Sequence, residues 1–368
     1  LWFRGSGSVK GFAQTLAIGI IVSMFTALVI TRMIVYAFYA VGIRSEKLYY
    51  RPKKPREPIN FVGRKAIFFA ISLILIAAGF GVAGYNAARG NGAMNYSLEF
   101  QGGTSTNVTF DQDYTIDEID AQIIPVVEEA TGDHNVQAQK VEGSNQIIFK
   151  TSTLDLDARE ALDQALVDNF QVDESLITFE NISSTVSSEM RTDAIVAVAI
   201  ATVLMLLYIW FRFKDIRFAT SAVLALLHDV LIVALFYAVA RISVGNAFIA
   251  CILTIFGYSI NATIVIFDRI REELKLAPKG QDLAYTVNKS ITQTLTRSIY
   301  TSLTTFITIA VLFVMGVSSI REFALPLMVG IVCGAYSSVC VTGPLWYVMK
   351  TKIGGKKKEA EKSGKKKK

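Results

Sequence analysis

Residues 218–240 read FATSAVLALLHDVLIVALFYAVA, twenty-three positions with two ionisable side chains, His228 and Asp229. A helix needs about 20 mostly apolar residues to cross roughly 30 Å of hydrocarbon, so this stretch is long enough to span a bilayer. Six others share the pattern, at about 11–37, 65–86, 192–211, 246–267, 298–316 and 323–349. They show little amphipathic period, which argues against buried helices of a large soluble protein. The expected fold class is therefore a polytopic α-helical membrane protein with about seven spans. The chain as a whole is 52% hydrophobic with mean hydropathy +0.42, because the apolar runs are averaged with one polar block at about 88–190.

Orientation is read from Lys and Arg, which collect on the cytoplasmic side of short loops. Residues 44–65 carry eight of them, the 212–217 loop carries Arg212, Lys214 and Arg217, and the 269–297 stretch carries six. From Lys350 onward there are ten lysines. The alternate loops hold only Arg4 and Lys10, then Arg241, then Arg321. This pattern places the basic linker at 41–64 and the C-terminus in the cytoplasm, and the polar block outside. The block at 88–193 holds 20 of the 31 acidic residues against five basic ones, so the net charge of +6 averages a basic side and an acidic domain. The basic stretches at 51–65 and 350–368 read first as a topology signal with a solvated tail, with anionic lipid headgroups or ribosomal RNA as the alternative contacts. No aromatic residues interleave with the tail lysines, so no specific nucleic-acid site is expected. Leu1 is not an initiator, and the N-terminus reads as a truncation.

Within the polar block the pattern is strand (97–100 and 105–110), helix (115–131), strands (135–141 and 145–151), helix (155–169) and strand (176–183). Ile116, Ile119, Ile123, Val126 and Val127 line one helix, and Leu156, Ala161, Leu162 and Leu166 the other. Gly102-Gly103 and Gly143-Ser144-Asn145 mark turns. The βαββαβ order predicts an α+β, ferredoxin-like exocytoplasmic domain. Pro125 should end or bend the first helix. His134 stands alone in a loop and is not expected to act as a ligand.

The first and last apolar runs are related. Phe12, Ala13, Leu16, Gly19 and Ile20 recur 311 residues later as Phe323, Ala324, Leu327, Gly330 and Ile331, and Thr31 recurs as Thr342. Small residues at this spacing are what close helix packing in lipid uses. Residues 1–40 therefore read as the last helix of a first copy. Residues 65–87 supply the first helix of a second copy and 191–349 its remaining five. Two parallel copies are a transporter layout.

Several motifs in order carry a family resemblance. Gly5-Ser6-Gly7-Ser8-Val9-Lys10-Gly11-Phe12-Ala13 resembles the end of a SecD part, and Leu98-Glu99-Phe100-Gln101-Gly102-Gly103-Thr104 resembles a SecF motif. Leu226-Leu227-His228-Asp229, Gly257-Tyr258-Ser259-Ile260-Asn261, Phe267-Asp268-Arg269, Thr294-Leu295-Thr296-Arg297-Ser298 and Gly334-Ala335-Tyr336 continue it. The chain thus resembles the SecF portion of a fused SecDF membrane protein of the wider resistance-nodulation-division type. The resemblance implies an auxiliary subunit of the bacterial Sec translocase in the cytoplasmic membrane, using the transmembrane ion gradient to promote late preprotein export. It implies as partners a SecD-like half, the SecYEG channel, a YajC-type accessory protein and the translocating preprotein. It also implies an acid directly after Asn261, where this chain has Ala262, and makes Arg297 the partner of that missing acid.

Ionisable groups inside a membrane cost about 2.5–3.5 kcal/mol at the helix centre, so they usually serve a purpose. Asp229 lies near mid-span with His228 beside it. Adjacent helical residues point about 100° apart and need not pair. The two are ion or proton relay candidates, with a structural hydrogen bond between helices as the competing reading. Arg297, expected at the cytoplasmic start of helix five, is read as snorkelling to headgroups or pairing with Asp268. Asn261, Ser259 and Thr263 offer neutral oxygens to a sodium ion. Cys251, Cys333 and Cys340 lie in apolar runs without metal-ligand spacing and read as small packing residues. No GxxxxGK[ST] stretch and no HExxH occur, so neither an ATPase nor a metalloprotease is supported, and no cofactor is expected. A small-molecule exporter of related plan is the alternative function.

Overall fold

The computed structural model describes residues 7–45, 56–89, 92–134, 136–141, 143–278, 280–315 and 318–353. Much of the basic linker and most of the lysine tail lie outside the described residues. Among the described residues, seven helical stretches are long and apolar enough to cross a membrane. The first is α1 (Gly7–Phe25), a π turn (Thr26–Ile30) and α2 (Thr31–Ala40). Then comes α3 (Lys65–Ala88). After the sheet domain follow α6 (Ser184–Phe213), α7 (Ile216–Ala240), α8 (Asn246–Leu276) and α9 (Leu283–Met315). The last span is α10 (Ser318–Tyr336), a π turn (Ser337–Thr342) and α11 (Gly343–Val348).

The helix α9 starts well before the expected 298, because residues 283–297 are Thr/Ser-rich and escape a hydropathy reading. Their hydroxyls bond back along the helix, Thr286 to Asp282, Ser290 to Thr286 and Thr294 to Ser290. Arg297 therefore sits midway along a helix and not at its start.

The central member is α7, which packs against α3, α6, α8 and α10. Glycines set two of these approaches. A Cβ on Gly79 would lie 2.7 Å from the Leu235 Cβ, so α3 can lie directly on α7 only with glycine there. On α10, a Cβ on Gly330 would strike Ile255, and one on Gly334 would come 3.3 Å from the Ser259 Cβ. One apolar cluster fills the basic end of the bundle, where the Phe218 ring stacks on Trp346 at 4.6 Å and meets Phe267 at 4.7 Å. Phe61 and Val62, just before α3, join it, held by backbone hydrogen bonds from Ile59 and Val62 to the side chains of Thr292 and Asn288, both 2.9 Å. A second cluster, with Phe100, Tyr237, Ile252 and Leu327, fills the other end.

The polar block forms a four-stranded antiparallel sheet. A two-residue strand β1 (Asn95–Tyr96) precedes β2 (Gly103–Thr109), followed by β3 (Gln137–Lys140), β4 (Gln146–Thr151) and β5 (Ile177–Ile182). The sheet order is β3-β4-β2-β5, with helices α4 (Ile124–Thr131) and α5 (Leu156–Phe170) in the two crossovers. This is the expected βαββαβ arrangement. The helix before Pro125 opens on a complete capping box, Thr115 with Glu118, and passes through a π turn at Ile119–Ile123 that absorbs the proline. Ile119, Ile123 and Val127 are buried with Leu162 and Leu166. Ile116 and Leu156, expected on those faces, are exposed because each lies in its helix's first turn, beyond the sheet.

The expected strand at 97–100 is instead one helical turn, Leu98–Gln101. Its side chains have bundle partners that a strand would not satisfy: Phe100 is buried in the second bundle cluster, and Glu99 Oε2 accepts the Asn246 backbone N–H at 2.8 Å. Gly102 and Gly103, at φ +76° and +118°, then turn the chain into β2. The segment is further pinned by pairing of β1 with β6 (Ser243–Val244), the loop just before α8. The sheet domain is thus fastened to the first turn of α8.

Candidate functional site

Asp229 lies at the middle of α7 with no exposed surface, and four hydrogen donors surround it. Ser259 Oγ of α8 donates to Oδ2 at 2.6 Å, and Ser337 Oγ, in the π turn after α10, donates to the same oxygen at 2.7 Å. Cys333 Sγ donates to Oδ1 at 3.3 Å, and His228 Nδ1 lies 2.9 Å from Oδ1. A carboxylate only accepts hydrogen bonds when ionised, and a donor on every side is the arrangement that satisfies it away from water. The neighbours His228 and Asp229 therefore do pair, although their helical directions alone did not require it.

The geometry follows from the sequence of each helix. Gly330, Gly334 and Ser337 recur at spacings of four and three, so one face of α10 carries almost no side-chain bulk and can lie against α8. The π turn adds a residue to the helical turn, a feature found mostly where function needs a local departure from α geometry. It is held by Thr342, whose hydroxyl donates to the Ser337 carbonyl at 3.0 Å. Tyr336 closes the flank, donating to the Phe68 carbonyl at 2.7 Å. The second ring nitrogen of His228, Nε2, is buried with no hydrogen-bond partner among the described residues.

His228, Asp229 and Cys333 also offer three ligand atoms within 4.8 Å of one another. The thiol already donates to the carboxylate, so the set fits a hydrogen-bonded acid better than a metal centre, which would need a thiolate.

The other sequence candidates are not part of this site. Asn261 is exposed on α8, two residues beyond Ser259 and so on the opposite face of the helix, and Ala262 is half-buried. Asp268 pairs with Arg212 at 3.0 Å and not with Arg297. The reason is position: Arg212 ends α6 beside the end of α8, whereas Arg297 lies on the exposed face of α9 and its side chain has no hydrogen bond or ion pair among the described residues. Sequence reasoning passed over Cys333 and Ser337, which look like packing residues in an apolar run. The signal that marks them is their spacing with Gly330 and Gly334 along one helix face. It also missed Glu273, which accepts Arg269 and Lys289, both at 2.8 Å, and so ties α8 to α9 at the basic end.

Seven membrane-length helices among the described residues, with a buried acid on the fourth and one sheet domain between the second and third, define a multi-span membrane protein. Comparison with known proteins gives its family. A model described as "Protein export membrane protein SecD/SecF, C-terminal" matches residues 162–352. The protein translocase subunit SecDF of Thermus thermophilus is 34% identical over 368 residues, which is 99% of this chain and 47% of that relative. The protein translocase subunit SecF of Petrotoga mobilis is 34% identical over 294 residues, 78% of this chain and 94% of the relative. A crystal structure of the Thermus SecDF, described as a translocon-associated membrane protein, superposes with TM-score 0.78 at 34% identity, over 95% of this chain and 46% of that one. The chain belongs to the SecD/SecF family. It spans about half the length of the SecDF relatives and nearly the whole of the SecF ones.

Proposed function

We propose that this chain is the SecF-type half of an auxiliary subunit of the bacterial Sec translocase, converting the transmembrane ion gradient into late preprotein export. Residues 1–40 contribute the last helix of a SecD-like half. The basic linker at 41–64 and the C-terminal lysines face the cytoplasm, and the sheet domain faces outward toward the emerging preprotein. The membrane is the bacterial cytoplasmic membrane, and the SecYEG channel and a YajC-type protein are the expected partners. No enzymatic step is part of this reading.

The observation that carries it is the fully buried Asp229 with its four donors. Ala262 cannot bind a proton, so ion coupling within this half falls to Asp229 and His228. With its hydrogen on Nδ1, His228 donates to Asp229 and leaves Nε2 as a basic lone pair. A proton passing through the cluster has Nε2, a buried atom with no partner among the described residues, as its entry and the Nδ1–Oδ1 contact as its link to the carboxylate. The change is felt on α8 through Ser259, and the N-terminus of α8 is held by Glu99 of the sheet-domain connection. Thirteen residues of continuous helix, about 20 Å at 1.5 Å per residue, separate the two contacts.

The test is pulse-chase export of a Sec-dependent secreted protein in the host, after depletion of the native-length protein. Restoration by the wild type and failure of Asp229→Asn support both parts of the reading. Export that continues unchanged through depletion removes the Sec assignment. Full restoration by Asp229→Asn removes Asp229 as the carrier and leaves the Sec assignment standing.

A further inference from the structure

A groove of about 790 Å³ opens on the outside of the bundle between α3, α7 and α10, with Phe306 of α9 at its edge. Its walls are aliphatic and aromatic, including Leu75 and Val82 of α3, Leu235 and Val239 of α7, and Val329 and Val332 of α10. Only Cys333 and Tyr336 bring polar atoms to it, and both already donate hydrogen bonds elsewhere, to Asp229 and to the Phe68 carbonyl. The volume lies within the roughly 300–1,000 Å³ of small-ligand sites, but nothing in the walls would orient a polar molecule. Such walls fit a hydrocarbon chain.

The depth of the groove says which hydrocarbon. Along the three helices it runs from Ile71 of α3, Ile232 of α7 and Tyr336 of α10 to Val82, Val239 and Leu325, and these last three lie toward the sheet-domain ends of their helices. Each of the three helices ends on that side in an arginine: Arg89 closes α3, Arg241 closes α7, and Arg321 lies in the first turn of α10. Val82 to Arg89, Val239 to Arg241 and Leu325 to Arg321 are about 10, 3 and 6 Å along their helix axes at 1.5 Å per residue. That places the guanidinium groups at the depth of the headgroup layer, which adds about 5–7 Å to each side of the hydrocarbon. Arg89 and Arg321 are exposed; Arg321 donates to the Val314 carbonyl at 3.3 Å and Arg241 to the Gly92 carbonyl at 2.9 Å.

The geometry points to a specific site for an anionic phospholipid of the leaflet on the sheet-domain side, one acyl chain in the groove and the phosphate among the three arginines. Charge complementarity selects the anionic headgroup, and the groove selects a chain that lies along the helices. The inner end of the chain meets Cys333, one hydrogen bond from Asp229, so occupancy stiffens the wall of the buried acid site. The proposal does not depend on what the acid does.

The test uses the native-length protein in phosphatidylcholine vesicles with a trace of phosphatidylglycerol carrying a photoreactive diazirine in mid-chain, and the same chain on phosphatidylcholine as comparison. Crosslinked peptides are mapped by mass spectrometry. The expected result is labelling concentrated at 71–82, 232–239 and 325–332, stronger for the phosphatidylglycerol probe. Val332→Trp, at an exposed position of the groove, removes the labelling there for both probes. Arg89→Gln and Arg321→Gln leave the core untouched and each lowers the phosphatidylglycerol signal about fivefold, the equivalent of about 1 kcal/mol per basic residue at a lipid surface. Equal labelling by both headgroups, or labelling spread evenly over all spans, shows annular lipid only and overturns the proposal. Absence of label in the groove, with label elsewhere, shows that a protein segment fills it and overturns it equally.

Discussion

Thr342 donates its hydroxyl hydrogen to the carbonyl of Ser337, five residues earlier, at 3.0 Å, and holds a π turn open beside Asp229. Thr31 makes the same bond to Thr26 at 3.1 Å, in a π turn that starts 311 residues earlier. The sequence repeat thus extends to a shared departure from α geometry. At Ser337–Thr342 the turn is buried and delivers Ser337 to the carboxylate, whereas no residue of the turn at Thr26–Ile30 is buried.

Thr342→Val keeps the shape of the side chain and removes the donor. The turn loses a hydrogen bond of about 1 kcal/mol, Ser337 drifts from Asp229, and the cluster loosens. The expected outcome is faster alkylation of Cys333 by an apolar maleimide, measured peptide by peptide, with Thr342→Ser close to wild type. Equal rates in all three proteins would separate the turn from the site.

Asp229→Asn replaces two accepting oxygens with one and sets an amide N–H₂ against donors. At least one of Ser259, Ser337, Cys333 and His228 loses its acceptor inside the bundle, at about 1–3 kcal/mol. A lowered thermal midpoint in detergent is expected, with a smaller loss for Ser337→Ala, which removes one donor and leaves the carboxylate three. A midpoint unchanged in Asp229→Asn would show that the group is neutral and already amide-like in its bonding.

The spans were legible because a bilayer demands long apolar runs, and Asp229 was legible because an acid in such a run is costly. The sheet domain was legible from alternation and turn residues. What escaped was whatever depends on a neighbour in space. Leu98–Gln101 reads as a strand until Glu99 is seen against the start of α8. Residues 283–297 read as a loop because Thr and Ser are weak helix formers, yet the bundle beside them supports a helix. Arg297 and Asp268 looked like partners from charge alone, but Arg212 is the nearer cation. Ala262 was visible as a departure, and the donors that α8 and α10 bring to Asp229 needed coordinates.

Gly330→Ala improves helix propensity by about 1 kcal/mol but places a methyl group against Ile255, and overpacking of this kind costs about 1–3 kcal/mol. The collision wins because both helices are held by further contacts on either side. Lower stability is expected for the single variant, with recovery in Gly330→Ala/Ile255→Val, read as a double-mutant cycle in thermal unfolding. Additive effects would place the strain elsewhere.

Glu99→Ala removes the acceptor at the first backbone N–H of α8 and weakens the joint between domain and bundle. Loss of an N-terminal cap costs about 0.5–2 kcal/mol. Hydrogen exchange should speed up at residues 246–250 with little change at 260–270. Glu99→Gln, which still accepts, should lie between. Uniform exchange across α8 would show that β1–β6 pairing alone holds the joint.

Asp163 on α5 responds to pH in the opposite sense to Glu118 and Asp173. Burial raises its pKa above the ordinary 3.8, and the nearby Glu174 and Glu160 raise it further. Its Oδ1 is buried with no hydrogen-bond partner among the described residues. The folded state therefore holds the proton more tightly than the unfolded state, and stability falls as pH rises from 3.8 through the raised value. Above that window the penalty is fully present. Glu118 and Asp173 act the other way: hydrogen bonds from Thr115 and Ser175 lower their pKa values, so their contribution is present at neutral pH and lost in acid. Asp163→Asn should therefore raise the thermal stability of the sheet domain at pH 7, and the gain should shrink toward zero as the pH approaches 3.8. A gain that is constant with pH would mean that the aspartate's shape, and not its charge, is what the fold resists.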